Sequence, residues 1–133
     1  MAITILLVDD HRSFREAMLS LLDGEPDVMV VAEADDGENA IQLAAELAPD
    51  IVLMDIMLPG MSGIDATSEI IAAHPECLVV MVSLQTNPLL VAQSFAAGAA
   101  GYVSKGTAGA DLLDAVRAVA AGGTFLSPGL AGA

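Results

Sequence analysis

Apolar positions follow two alternating patterns along this chain. Ile3 to Val8, Val28 to Ala32, Ile51 to Met54 and Leu78 to Val82 are runs of strand length, rich in β-branched residues, and Gly101 to Ser104 is a shorter one. Between them, apolar residues recur at helical spacing. Phe14, Ala17, Met18, Leu21 and Leu22 stripe one face of a helix from His11 to Asp23, with Gly24 as its stop. Asp36 is placed to cap a second helix from about Gly37 to Ala48, with Ile41, Ala44, Ala45 and Ala48 facing inward and Pro49 following. Ile64 to His74 is a less regular helix ended by Pro75. Asn87 and Pro88 supply a cap and a first-turn proline for a short helix through about Ala97, stopped by Gly98. Thr107 can cap the last helix, which reaches about Ala121 with Leu112, Val116 and Val119 on its core side, before Gly122 and Gly123 end it.

Five strands therefore alternate strictly with five helices. Strands without polar alternation are covered on both faces, and helical crossovers make the sheet parallel with right-handed connections. The pattern predicts one doubly wound α/β domain with a five-stranded parallel sheet, in which ligands sit at the carboxyl ends of the strands. At 133 residues with 55% hydrophobic side chains, the chain has ample material for one core.

Composition narrows the chemistry. Eighteen acidic residues against four basic ones give a net charge of −14, which repels nucleic acid phosphates and anionic lipid. Cys77 is the single cysteine and lies in an apolar run, which predicts a buried thiol in a reducing compartment. Gln85 to Pro88 and Gly98 break the uncharged stretch from Cys77 to Ser104 into pieces too short and polar to cross a bilayer, and the N-terminus lacks the basic flank of a secretory signal. The expected location is the cytoplasm.

The predicted strand exits gather the notable polar residues on one rim: Asp9 and Asp10 after the first strand, Asp55 after the third, Ser83 after the fourth and Lys105 after the fifth. Unit charges ~4 Å apart at an effective dielectric of ~20 repel by ~4 kcal/mol per pair, so converging carboxylates call for a proton or a cation. Oxygen ligands suit a hard ion, above all Mg²⁺ held by one or two carboxylates, waters and a phosphate. In phosphoryl chemistry a carboxylate can be the nucleophile while a cation and a lysine neutralise the transferred group. Asp55 is the natural nucleophile, with Asp9 and Asp10 placed to share the metal, and Lys105 and the Ser83 hydroxyl placed to meet phosphoryl oxygens.

These residues resemble the receiver domains of two-component response regulators over about positions 1–121. The resemblance rests on the pair Asp9 and Asp10, Asp55 followed by Pro59 and Gly63, Ser83, and Lys105 after Gly-Tyr-Val-Ser. It implies the CheY-like form of the flavodoxin-like fold, with strand order 2-1-3-4-5 and five helices, and with Asp55 as phosphoacceptor and a sensor histidine kinase as phosphoryl donor. It also implies Mg²⁺ held by Asp9 or Asp10, Asp55 and the Met57 backbone carbonyl, and a switch in which Ser83 moves inward and Tyr102 rotates into the vacated space. The stretch Gly-Gly-Thr-Phe-Leu-Ser-Pro, from Gly122 to Pro128, is similar to the junction leading into a helix-turn-helix domain in NarL/FixJ-type regulators. On that reading 122–133 begin a linker to a DNA-binding output domain absent here. Ser83 stands where threonine is commoner in the family, and Gly106 where many receivers have proline.

Blander readings accompany these. Asp10 can cap the first helix, Tyr102 can be half-buried on an edge strand, and His11 reads as a rim residue rather than a metal ligand. His74 suits a helix end. Leu89, Leu90, Leu113 and Val119 suggest apolar surface for a partner, and a homodimer through this face or the first helix is expected. Two other functions compete with the switch: a phosphate-independent receiver-like interaction module, and a small phosphatase using the same aspartate nucleophile, for which no cap insertion exists in this chain.

Overall fold

A computed structural model of the chain describes residues 2–130. The strands are β1 (Ile3–Val8), β2 (Val28–Ala34), β3 (Ile51–Met54), β4 (Leu78–Ser83), β5 (Gly101–Ser104) and β6 (Phe125–Leu126). The helices are α1 (Arg12–Leu22), α2 (Gly37–Leu47), α3 (Gly63–Ala73), α4 (Pro88–Ala96) and α5 (Ala108–Ala120). A single 3-10 turn, Lys105–Thr107, joins β5 to α5. The sheet is parallel throughout with order β2-β1-β3-β4-β5-β6.

The sheet thus has six strands, not the five expected. The sixth lies in 122–133, the stretch read above as the start of a linker, and pairs Phe125 with Gly101 and Leu126 with Tyr102. Two residues are too few to show a period, so only the pairing with β5 marks them as a strand.

Each strand serves two cores because its side chains alternate across the sheet. Ile5 and Leu7 of β1 face α1 and α5, packing with Met18, Leu22, Leu112, Val116 and Val119. Leu6 and Val8 face α2 and α3, packing with Ala40, Ala44, Ala66 and Ile70, while α4 adds Leu90, Val91 and Phe95. β1, β3 and β4 lie inside the sheet, so their runs need no polar alternation.

Capping differs from the sequence reading in two places. Asp36, Ser62 and Asn87 cap α2, α3 and α4 by accepting from backbone N–H groups, whereas α1 begins at His11 with no side-chain cap, so Asp10 does not serve there. Thr107 precedes α5 but its hydroxyl donates to the Asp111 carboxylate at 2.6 Å instead of capping the backbone. Two surface assignments also change. Val119 is fully buried against the sheet, leaving Leu89 as the strongly exposed member of the proposed apolar face. Tyr102 is fully buried, because β6 covers the side of β5 that would otherwise be the sheet edge.

Ser127 fastens β6 to this frame. Its hydroxyl donates to Asp111 at 2.8 Å and accepts from the Ser104 N–H at 3.0 Å, while its own N–H donates to the Tyr102 carbonyl at 3.0 Å. The side chain is fully buried, so no water can replace it cheaply. Ser127→Ala is expected to cost about 1–3 kcal/mol in urea unfolding, since it strands the Ser104 N–H and removes a donor from Asp111.

Candidate functional site

β1 and β3 are neighbours whose last residues, Val8 and Met54, pair in register, so the next residue of each emerges at the same sheet end. Those residues are Asp9 and Asp55. The Asp55 N–H donates to the Val8 carbonyl at 2.9 Å and the Asp9 N–H to the Ala34 carbonyl at 3.1 Å, so both acids are still tied to the sheet. Asp55 is 3% exposed and Asp9 fully buried, whereas Asp10 turns outward.

Lys105, leaving β5, reaches across to both acids. Its Nζ lies 2.8 Å from Asp9 Oδ2 and donates to Asp55 Oδ2 at 3.0 Å, with the lysine side chain only 6% exposed. The ammonium also stands 4.5 Å from the centroid of the Phe14 ring, a cation–π contact from α1. Burial pushes the Asp55 carboxyl above its ordinary value; Lys105 opposes that shift and Asp9 adds to it by repulsion. Burial alone would lower the Lys105 ammonium, but its hydrogen bonds to Asp9 and Asp55 and their charges carry it above its usual value.

The turn after Asp55 is shaped by a close approach. A Cβ on Gly63 would stand 1.8 Å from the Asp55 carbonyl oxygen, so only glycine fits there. The Gly63 N–H donates to the Ile56 carbonyl at 2.8 Å, which closes the turn under Asp55. The Met57 side chain is exposed beside the site.

Ser83 and Tyr102 meet through one backbone position. The Gln85 N–H donates to Ser83 Oγ at 3.1 Å, and the Tyr102 hydroxyl donates to the Gln85 carbonyl. Burial raises the Tyr102 phenol above its ordinary value, and hydrogen bonding to Ser83 opposes the rise. All the predicted rim residues are thus at one end of the sheet. Sequence reasoning missed Phe14 under the ammonium, the Gln85 backbone, and Arg15, which donates to the Asp9 carbonyl and pairs with Glu33 at 3.1 Å. Phe14 and Arg15 stand one turn into α1 after the acidic pair, which is a usable spacing signal; Gln85 acts through its backbone and leaves none.

The same rim suits a divalent cation. Asp9, Asp10, His11 and Asp55 each offer a ligand atom, all within 4.8 Å of one another. Asp9 Oδ2 is buried, and its partner there is the Lys105 ammonium at 2.8 Å. Two carboxylates on one ammonium, with Asp10 beside them, leave net negative charge, and oxygen donors fit a hard ion.

Comparison with known proteins decides the family. The response regulator receiver domain profile matches residues 5–117. The chain is a response regulator receiver. It is 38% identical over 126 residues to the transcriptional regulatory protein DegU of Brevibacillus brevis, covering 95% of this chain and 53% of that protein. It is 39% identical over 129 residues to the response regulator GacA of Pseudomonas viridiflava, covering 97% of this chain and 60% of GacA. Among solved structures, a LuxR-family two-component response regulator from Aurantimonas sp. superposes with TM-score 0.95 at 38% identity, covering 99% of this receiver and 94% of that chain. The receiver spans little more than half the length of the curated relatives it matches.

The raised Asp55 carboxyl fixes the sign of a stability test. An acid whose folded pKa is raised binds its proton more tightly in the folded state, so the native receiver loses stability as pH rises from about 4 through that raised value. In chelator-treated buffer, Asp55→Asn is expected to be more stable than the native chain at pH 7, with the gap closing toward pH 4. Thermal melts of both proteins across that range check it.

Proposed function

We propose that this receiver accepts a phosphoryl group on Asp55 from a sensor histidine kinase and passes the change to an output domain through Ser83 and Tyr102. The observation that carries the reading is the single ammonium of Lys105 set between two buried carboxylates, Asp9 and Asp55, at the exits of adjacent strands. An isolated strand-end acid has no need of such company.

The chemistry begins with an Asp55 oxygen attacking phosphorus. The phosphorus–nitrogen bond of the donor phosphohistidine breaks, the acyl phosphate forms, and the electron pair and a proton remain on the departing imidazole. Lys105 offsets the charge on the transferred oxygens, exchanging part of its carboxylate pairing for a phosphoryl partner. Mg²⁺, held by Asp9 or Asp10, Asp55 and the Met57 backbone carbonyl, would neutralise the phosphoryl charge and bring the two anions together. The Ser83 hydroxyl now accepts from Gln85 and keeps its own proton to donate to a phosphoryl oxygen.

Two packings must then differ in how well they satisfy the new charge. Phosphorylation adds about −1.5 to −2 charge, and turning a population from 1:99 to 99:1 takes about 5.5 kcal/mol of differential interaction. A Ser83 drawn toward phosphate loosens the Gln85 loop, which releases the acceptor now used by the Tyr102 hydroxyl. Tyr102 is already inside the fold, so its hydroxyl partner rather than its burial is the element that changes.

The domain reading is that 1–121 form the receiver and the residues from 122 lead toward a DNA-binding output domain, with β6 and Ser127 still seated on the receiver body. The names of the relatives, a transcriptional regulatory protein and a response regulator, support a transcriptional output. The protein turns over no separate substrate; it acquires and loses phosphate at its own Asp55. No helix among the described residues is long and apolar enough to cross a membrane, and a cytoplasmic location accords with that.

The test is intact mass after incubation with Mg²⁺ and acetyl phosphate. The native chain should gain one phosphoryl group and Asp55→Asn none, and chelation should abolish the gain. Equal labelling of both chains, or none in the native chain across a range of conditions, overturns the assignment.

A further inference from the structure

The turn that carries Lys105 has little of its own to hold it. Gly106 follows the lysine directly and has the widest backbone freedom of any residue, yet the ammonium is kept 2.8 and 3.0 Å from two buried carboxylates. Restraint comes from outside the turn. The Ser104 N–H, just before the lysine, donates to Ser127 Oγ at 3.0 Å, and the Thr107 hydroxyl, just beyond Gly106, donates to Asp111 Oδ2 at 2.6 Å. The Ser127 hydroxyl donates to that same Asp111 oxygen at 2.8 Å, so the bonds join into one clasp that grips the chain on both sides of Lys105. We propose that Asp111 and Ser127 are positioning residues for Lys105, so that the seating of the C-terminal strand β6 sets how tightly the site holds a phosphoryl group on Asp55. The inference rests on reading Asp55 as the phosphoacceptor.

The clasp is built where water cannot substitute for it. Ser127 is fully buried, and Asp111 is a buried carboxylate that the acidic rim does not use. Its charge is tolerated by two hydroxyl donors and by its place in the first turn of α5, where the helix dipole favours an anion. Ser104 Oγ accepts the Gly106 N–H at 3.2 Å, which carries the restraint into the turn itself. What brings Ser127 to this point is apolar packing on both faces of the sheet. Phe125 packs with the core under α1 and α5, while Leu126 and Leu130 pack with the core that contains Tyr102.

Two consequences follow. A lysine aimed by a clasp offers its charge to phosphoryl oxygens in one geometry, and a displacement of about 1 Å is enough to lose much of that benefit. Linkage then gives the reverse effect its sign: if a seated β6 favours the phosphoryl group, a bound phosphoryl group favours the seated β6 by the same factor. This route reaches Ser127 from Lys105 through the turn and α5, without the Gln85 backbone.

The experiment uses the fact that Lys105 is the only lysine, so that ¹³C-labelled lysine gives a single ε-methylene NMR signal in the 133-residue chain. Ser127→Ala and Asp111→Ala should lower the order parameter of that methylene. Both should also weaken, by about 5-fold or more, the phosphoryl mimic that beryllium and fluoride form with Mg²⁺ on a carboxylate. Asp111→Asn keeps an oxygen able to accept both hydroxyls and should restore both readouts. Val119→Ala is the control: it opens a cavity about 12 Å further along α5 than Asp111, and it should destabilise the fold while moving neither readout. A further readout needs no variant, because the mimic should slow hydrogen exchange at the Ser104 and Ser127 N–H groups of the native chain by about 5-fold. Unchanged Lys105 order and mimic affinity in both alanine variants, or equal changes in Val119→Ala, overturns the proposal. If the alanine variants do not fold, the native exchange decides, and unchanged or faster exchange overturns it. A native chain that binds the mimic while the alanine variants match it removes the clasp alone; a native chain that binds none removes the phosphoacceptor reading and this proposal with it.

Discussion

Two carboxylates held side by side out of water would drive the ends of β1 and β3 apart unless something lay between them. Lys105 lies there, and the local architecture serves to bring it in. β5 ends so that the 3-10 turn aims the side chain back over the sheet edge, and the Phe14 ring gives the ammonium a second favourable neighbour. Arg15 ties the backbone beneath Asp9 to α1 and to Glu33. The arrangement offsets the charge without cancelling it. One ammonium against Asp9, Asp10 and Asp55 leaves an electrostatic demand that a cation and a transferred phosphoryl group can meet together.

The same balance makes the site responsive. Burial and Asp9 push the Asp55 carboxyl upward while Lys105 pulls it down, so opposing effects act on one group. A new anion on Asp55 changes the competition for Lys105, and the hydroxyl of Ser83 offers the next contact. Beyond it the Gln85 backbone is held from both sides, by Ser83 through its N–H and by Tyr102 through its carbonyl. Tyr102 in turn shares its strand with the pairing to β6, and its carbonyl accepts from Ser127. A set of hydrogen bonds therefore leads from Ser83 through the Gln85 backbone to Tyr102, whose own carbonyl is tied to the C-terminal strand.

Much of this was legible in the sequence, for identifiable reasons. Parallel strands buried on both faces appear as unbroken apolar runs, so Ile3 to Val8 and Ile51 to Met54 could be placed with correct boundaries. Because the fold puts ligands at strand exits, finding the strands also found Asp9, Asp10, Asp55, Ser83 and Lys105. Features fixed by tertiary pairing were not legible. β6 has two residues and no period, the exposure of Tyr102 depended on whether β6 covered it, and Val119 looked available for a partner until α5 was seen to lie flat on the sheet. Asp10 looked like a helix cap because its residue type and position allow it; the backbone instead places His11 at the cap and turns Asp9 Oδ1 to its N–H. Gly63 was visible as a turn residue, but its reason, the approach to the Asp55 carbonyl, was not.

The central claim is that Asp55 is where a phosphoryl group is held, with Lys105 and a divalent cation as its counter-charges. The most direct measurement is the ¹⁹F NMR spectrum of the chain with Mg²⁺, beryllium and excess fluoride, which together form a tetrahedral phosphoryl mimic on a carboxylate. Bound fluorine resonances should appear in the native chain, vanish on chelation of Mg²⁺ and be absent from Asp55→Asn. The same bound resonances in Asp55→Asn would contradict the account.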